Sequence, residues 1–244
     1  MPDQTILSDK LMRFSVLDRL LHLVLMFGFT GLAVSGFSLS FSATAPARAF
    51  IWLVGGTAHA GWLHRFCAII TYSSVVIHGL WFLYFRFVLR GRLTGPRSIA
   101  PSKKDLKDFK QNMAYFLGWR PSPPDFDKFT YMEKIDYWAI FIGMNTMGIT
   151  GLILWFPEWF TRFLPGVWVN IAQVLHYWEA ILAVVVKLFI HVGMAHLRPT
   201  VYPADTSIFS GRTTRERMMA EHPAEWRSIA ADLEKGTETK RNGF

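Results

Sequence analysis

Three stretches of the chain carry no charged side chain: Leu20 to Ala47, Phe66 to Phe85 and Tyr137 to Pro157. A helix rises about 1.5 Å per residue, so roughly 20 residues cross the hydrocarbon core of a bilayer. Each run is long enough to do so. A fourth, VLHYWEAILAVVVKLFIHVGMAH from residue 174 to 196, reads the same way except that Glu179, Lys187 and three histidines interrupt it. The pattern predicts four spans at about 17–40, 60–87, 135–157 and 171–197. Between the second and third the periodicity changes. After Ser102, the residues Leu106, Phe109, Met113, Phe116 and Leu117 share one helical face while Lys103, Lys107 and Lys110 fall elsewhere, which predicts an amphipathic helix lying on the membrane surface. RPSPPD, residues 120–125, breaks it. The expected fold class is all-α and integral to the membrane: a four-transmembrane-helix bundle with a cytoplasmic amphipathic helix between helices 2 and 3. Residues 1–199 form the membrane domain and residues 200–244 a polar, charged cytoplasmic tail.

Charge adds topology. The connection from residue 86 to 134 holds eleven Lys or Arg against five acids, whereas the loop after span one has only Arg48 and the loop after span three only Glu158 and Arg162. The positive-inside rule puts that basic loop and both termini in the cytoplasm of a bacterial inner membrane. The net charge of +8 is largely this loop and reads as a lipid-headgroup contact; no nucleic-acid motif accompanies it. The first apolar run is too long for a cleavable signal peptide and reads as the first span. The only cysteine, Cys67, excludes a disulfide framework, a Cys-rich metal site and covalent c-type haem attachment.

Ionisable residues inside a membrane are costly and point to function. With the topology fixed, His22 lies near the inner end of span one, His64 near the outer and His78 near the inner end of span two, His176 near the outer and His191 near the inner end of span four. His64 and His78 stand about 21 Å apart along the axis, His176 and His191 about 22 Å, and each pair returns to within roughly 40° to 60° of one face. Spans two and four thus offer one histidine per leaflet to the bundle interior, and span one a third in the inner leaflet. That arrangement suits two stacked prosthetic groups between helices. Haem fits: its iron takes an axial nitrogen from each side, and Arg19 and Arg65 sit where propionates would emerge. Gly28, Gly31, Gly36, Gly148 and Gly151 would let a flat ring approach. Whether His22 or His78 serves the inner level stays open at this point. His59 and His196 lie near span ends, where interfacial histidines are common, and His222, in the tail, is expected to be exposed.

Three other readings compete. A membrane metal-ion protein needs several donors converging at about 2 Å, but there is no HExxH and the depth separation of His176 and His191 argues against one ion. A transporter would show repeats or broken helices, which are not evident. A structural anchor would use its histidines only for packing, which suits one such residue better than five layered by depth.

RFSVLDRLLHLVLMFGFTGLAVSGF, WLHRF, VLHYWEAI and FIHVGMA, in that order and spacing, resemble the cytochrome b (gamma) subunit of respiratory formate dehydrogenases, and GRTTRERMMAEHPAEW resembles that family's ending. The resemblance covers nearly the whole chain. Related diheme b-type subunits serve membrane-bound hydrogenases and multihaem cytochrome complexes. The resemblance implies two non-covalent b haems: an outer one on His64 and His176 and an inner one on His22 and His191. His78 becomes an alternative inner ligand, a quinone contact or part of a further haem site. His176 and His191 stand one residue further apart than in the family, which calls for a local bulge or a shifted ligand. The family's quinone sits near an Asn that corresponds to Thr130 in KFTYMEKIDYW. The resemblance implies electron transfer between a periplasmic iron–sulfur or multihaem cytochrome subunit, with its catalytic subunit, and menaquinone or ubiquinone at the cytoplasmic side, in either direction. Lys187 would snorkel or contact a propionate or the quinone. Glu179 would orient His176 or bond a neighbouring helix, and Glu133 and Asp136 would stabilise the start of span three.

Overall fold

The computed structural model of the protein describes residues 10–197 and 201–234. Four helices in it are long and apolar enough to cross a membrane. The first, α1, runs Val16–Ser40. A short α2, Ala45–Leu53, begins with Pro46 in its first turn and ends before Gly55 and Gly56, whose φ values of 90° and 114° suit residues without a Cβ. The second long helix, α3, runs Thr57–Leu83 and closes in a π-turn, Tyr84–Val88. Next come the amphipathic α4, Lys103–Phe116, and the long α5, Tyr131–Trp155, which stops where Pro157 opens the single turn of α6, Pro157–Phe160. The last long helix, α7, runs Val167–Val185, passes through a second π-turn, Val186–Val192, and ends in α8, Gly193–His196. Beyond it lie α9 (Ser207–Ser210), α10 (Arg215–Glu221) and α11 (Pro223–Glu234), and a two-stranded antiparallel ribbon of β1 (Lys10–Met12) and β2 (Arg212–Thr214). The four expected spans are present. The boundary expected at 199–200 lies outside the described residues.

The chain divides into two compact units, and Leu20–Phe82 with Ile140–Ala204 form one. Its interior is mostly small residues, among them Gly28, Ser35 and Ser38 on α1, and Ala60, Cys67, Thr71 and Ser74 on α3. The α3 set is spaced by seven, four and three residues, so it lines one helical face. Large side chains point outward, with Phe27 70% and Phe189 75% exposed. Water would penalise this distribution. In lipid there is no hydrophobic gain from bringing helices together, and small residues that let backbones approach drive the packing instead. A Cβ on Gly28 would stand 2.1 Å from Thr71 Oγ1, and one on Gly31 2.5 Å from Cys67 Sγ, so α1 and α3 pack in close contact at these two glycines.

The other unit comprises the chain up to Arg19, Leu83–Ala139 and the part from Asp205 onward. Reciprocal caps start its helices. Ser15 donates to Asp18 (2.9 Å from N, 2.8 Å from Oγ) at the head of α1. Ser102 and Asp105 form the box that starts α4. Thr130 N donates to Glu133 Oε2 (2.7 Å) while Glu133 N donates to Thr130 Oγ1 (3.1 Å). This last cap starts α5 at Tyr131 instead of near residue 135. The α4 helix turns its polar side inward: Asp108 and Asn112 are buried, Lys134 Nζ donates to Asp105 (2.8 Å), and Asn112 Nδ2 donates to Tyr131 Oη (2.9 Å). Against the opposing pull of burial, Lys134 and Ser102 hold the Asp105 carboxyl below the usual carboxylate range. Leu106, Phe109 and Phe116 face out. A helix polar within and apolar without, fastened to the first turn of a membrane span, belongs at a lipid interface.

His222 corrects the expectation of an exposed tail histidine: it is only 5% exposed. Its Nδ1 lies 2.7 Å from the carbonyl of Asp127 and its Nε2 2.9 Å from Arg13 Nη2. Arg13, buried itself, also reaches Glu133 (3.4 Å) and the buried Glu225 (3.5 Å). A polar tail is expected to stay in solvent unless partners satisfy it, and here a guanidinium from before α1 supplies one. Arg217 likewise pairs with Asp205 and, at 2.9 Å, with Glu221.

Candidate functional site

Two pairs of imidazoles face each other in the membrane unit. His64 of α3 and His176 of α7 have ring centroids 6.3 Å apart with planes at 69°. His22 of α1 and His191 of the second π-turn have centroids 6.2 Å apart with planes at 29°. Imidazole nitrogens bind a metal at about 2 Å, and each ring centre lies about 1.1 Å further out, so two imidazoles on opposite sides of one iron have centroids roughly 6 Å apart. Both separations fit an iron between the rings. Among the described residues there is no group of three or more His, Cys, Asp or Glu placed to hold a metal ion.

The surroundings of His64 and His176 match in detail. Ser35 Oγ donates to the Gly31 carbonyl (2.6 Å) and stands 3.0 Å from His64 Nδ1. Thr150 Oγ1 donates to the Thr146 carbonyl (2.7 Å) and stands 2.9 Å from His176 Nδ1. Because each hydroxyl hydrogen is committed to a carbonyl, each oxygen accepts from the ring. The proton therefore sits on Nδ1 and the bare Nε2 is left to bind a metal. A glycine follows each hydroxyl residue. A Cβ on Gly36 would come 3.0 Å from His64 Cε1, and one on Gly151 3.3 Å from His176 Cε1. Ser35–Gly36 on α1 and Thr150–Gly151 on α5 are thus the same two-residue seat for a ring edge. Glycine cushions were foreseeable from the sequence, but the hydroxyls were not: Ser and Thr in membrane helices commonly bond back to the preceding turn, and their second contact leaves no sequence trace. At the other pair, His22 Nδ1 is buried and has no hydrogen-bond partner, as is also true of Thr71 Oγ1.

The π-turn accounts for the spacing of the helix-four histidines. Fifteen residues separate His176 from His191. An i→i+5 turn takes up one residue without advancing the register, so His191 comes round to His22. The sequence reading offered a bulge or a shifted ligand, and the bulge is present. Lys187 lies in the same π-turn. His78 is half-buried near the end of α3.

The remaining candidates sit as follows. Arg19 donates to the carbonyl of Phe209 (2.9 Å), and Arg65 lies over the ring of Trp155 at 5.5 Å. Thr130 is the α5 cap described above. Glu179 packs onto α5, where a Cβ on Gly143 would meet its Oε1 at 2.5 Å, and Gly148 leaves room for the Tyr72 ring in the same way. His59 Nδ1 bonds the Gly55 carbonyl (2.9 Å), an ordinary helix-start contact.

Membrane-crossing helices with imidazoles paired across the bundle at iron-spanning distance define a membrane-embedded b-type cytochrome. The chain belongs to the prokaryotic cytochrome b561 family, whose model matches residues 13–207. It is similar to the cytochrome b556(Fdn) subunit of the nitrate-inducible formate dehydrogenase of Escherichia coli K12, 25% identical over 225 residues, covering 91% of this chain and 93% of that subunit. The Shigella flexneri counterpart shows the same figures. The cytochrome b556(fdo) subunit of formate dehydrogenase from E. coli K12 is 24% identical over 232 residues, covering 94% and 98%. The chain is thus an electron-transfer protein of the membrane with haem b as its prosthetic group.

Proposed function

We propose that this chain is the diheme cytochrome b subunit of a formate dehydrogenase-like complex, carrying electrons between a partner on the outer membrane face and the quinone pool. The observation that carries the reading is the pair of centroid separations, 6.3 Å and 6.2 Å, at two levels of one bundle. His64 with His176 would hold one haem b and His22 with His191 the other. The buried Nδ1 of His22, without a hydrogen-bond partner, supports a ligand role at one level, and the glycine seats that hold the His64 and His176 ring edges support it at the other. Haem b supplies a reversible one-electron iron couple. The chain's own part is to present Nε2 from fixed rings and to exclude water with apolar helices. The names of the relatives favour a formate dehydrogenase as the complex, the family resemblance implies an iron–sulfur subunit between it and this chain, and the basic 86–134 loop favours an inner-membrane orientation with both termini cytoplasmic.

Arg19 and Arg65 are the proposed propionate partners, and Thr130 and Lys187 the proposed quinone or propionate contacts. Thr130 accepts from Glu133 and keeps its own O–H to donate to a quinone carbonyl. Lys187 brings a cation to the level of His22. His78 is kept as the alternative inner ligand or a quinone contact. The test is haem content. Pyridine extraction of the purified chain should give two non-covalent b haems, and His64→Ala and His22→Ala should each leave one. A colourless folded chain, or two haems retained in both variants, would overturn the proposal.

A further inference from the structure

We infer that Ser35–Gly36 and Thr150–Gly151 are positioning pairs that set the redox potential of the His64–His176 haem and hold it below that of the His22–His191 haem. The inference rests on the diheme reading. Ser35 is 0% and Thr150 5% exposed, so water cannot replace either hydroxyl as the partner of its ring. With the hydroxyl hydrogens committed to Gly31 O and Thr146 O, the Nδ1–H of both imidazoles must donate. The opposite tautomer would set an unprotonated ring nitrogen against an oxygen lone pair in a low-dielectric interior, an arrangement as costly as an unmade buried bond. A ligating imidazole that donates its second N–H is a more basic ligand. Greater basicity favours ferric over ferrous iron and lowers the potential. The glycines complete the device by leaving room for each ring edge to settle on its hydroxyl.

The other pair lacks this brace on at least one ring, since His22 Nδ1 has no hydrogen-bond partner. Lys187, in the π-turn that carries His191, also brings a positive charge to that segment, which favours the ferrous form. Both differences have the same sign. The braced haem is the weaker electron acceptor, so electrons run downhill from the His64 level to the His22 level.

The test is a spectroscopic redox titration of the full chain in its membranes, with His64→Ala identifying the midpoint of the haem that remains. Thr150→Val keeps the side-chain volume and removes the hydroxyl, Thr150→Ser keeps the hydroxyl, and Ser35→Ala removes the other brace. Expected is an upward shift of the His64–His176 midpoint in Thr150→Val and in Ser35→Ala. It should amount to at least a threefold change in the ferric-to-ferrous ratio at fixed potential, about 30 mV at 59 mV per decade. The second midpoint should stay fixed, and Thr150→Ser should behave as wild type. Unchanged midpoints in both hydroxyl-free variants, or a wild-type His64–His176 haem with the higher potential, would overturn the inference. If both hydroxyl-free variants lose that haem while Thr150→Ser retains it, the role is packing and the tuning claim fails. A wild-type chain without haem sinks the diheme reading instead, so the two failures are distinguishable.

Discussion

The π-turn at Val186–Val192 makes a geometric prediction with a computable size. Fifteen α-helical residues would leave His191 about 60° to one side of His176, whereas fourteen would leave it about 40° to the other. The π-turn absorbs the surplus residue, so deleting Val186 should convert it to an ordinary α-turn and leave His191 opposite His22. Inserting one Ala after Val185 instead adds about 100° of rotation and 1.5 Å of rise. An imidazole about 5.5 Å from the helix axis then swings roughly 8 Å, more than the 6.2 Å that separates the two rings. No repacking of a single rotamer recovers that. The assay is clean in a His64→Ala background, where the only haem left is the one under study. The deletion should retain one haem per chain with an unaltered low-spin spectrum, and the insertion should lose it. Loss on deletion, or retention on insertion, would show that the π-turn does not set the register of the ligand.

Two further outcomes concern the cluster around Arg13. Arg13→Met leaves the buried Glu225 carboxylate, 3.5 Å away, without its cation. Breaking a buried pair from one side costs about 3–5 kcal/mol, so protease cleavage between α9 and α11 should accelerate sharply, and Glu225→Gln in the same chain should recover part of the loss. Burial first, and then the Arg13 charge, lower the His222 pKa from its ordinary value of 6.5. A lowered folded-state pKa means that the stabilisation is complete above about pH 6.5 and lost as the pH falls through the folded value. Protease resistance of the same segment should therefore decline on acidification, and His222→Gln should flatten the profile.

Much of the bundle was legible because a bilayer imposes a coarse rule: about twenty residues without charge make a span, and an ionisable residue inside one needs a reason. The meeting of His64 with His176, and the presence of His191 at a second level, followed from that rule and the rise of a helix, although the choice of His22 over His78 did not. The extra residue between His176 and His191 was visible too, because helical phase is arithmetic. The roles of Ser35 and Thr150 were not legible. Their spacing within α1 and α5 carries no information about a ring on α3 or α7, and contact between helices is decided by rotation about their axes. Nor was the burial of His222, which depends on Arg13, more than two hundred residues away in sequence. The inward polar face of α4 was half legible: its five apolar positions announced a lipid-facing side, while Asp108 and Asn112 could as well have faced water.

The two imidazole levels are built by different means, and the difference bears on what each can do. At the His64–His176 level the imidazoles sit within regular α-helices, and a hydroxyl and a glycine fix each ring. Such a site resists movement, which suits a group that only gains and loses an electron. At the His22–His191 level one imidazole comes from a π-turn. A π-turn widens the helix, and such turns gather at functional sites. On the proposed reading, the level without a hydroxyl brace on His22 is the one that must also serve a quinone, a substrate that enters, takes up protons and leaves. On that reading, a braced level would serve electron relay alone and the level with the π-turn of α7 would also serve substrate exchange.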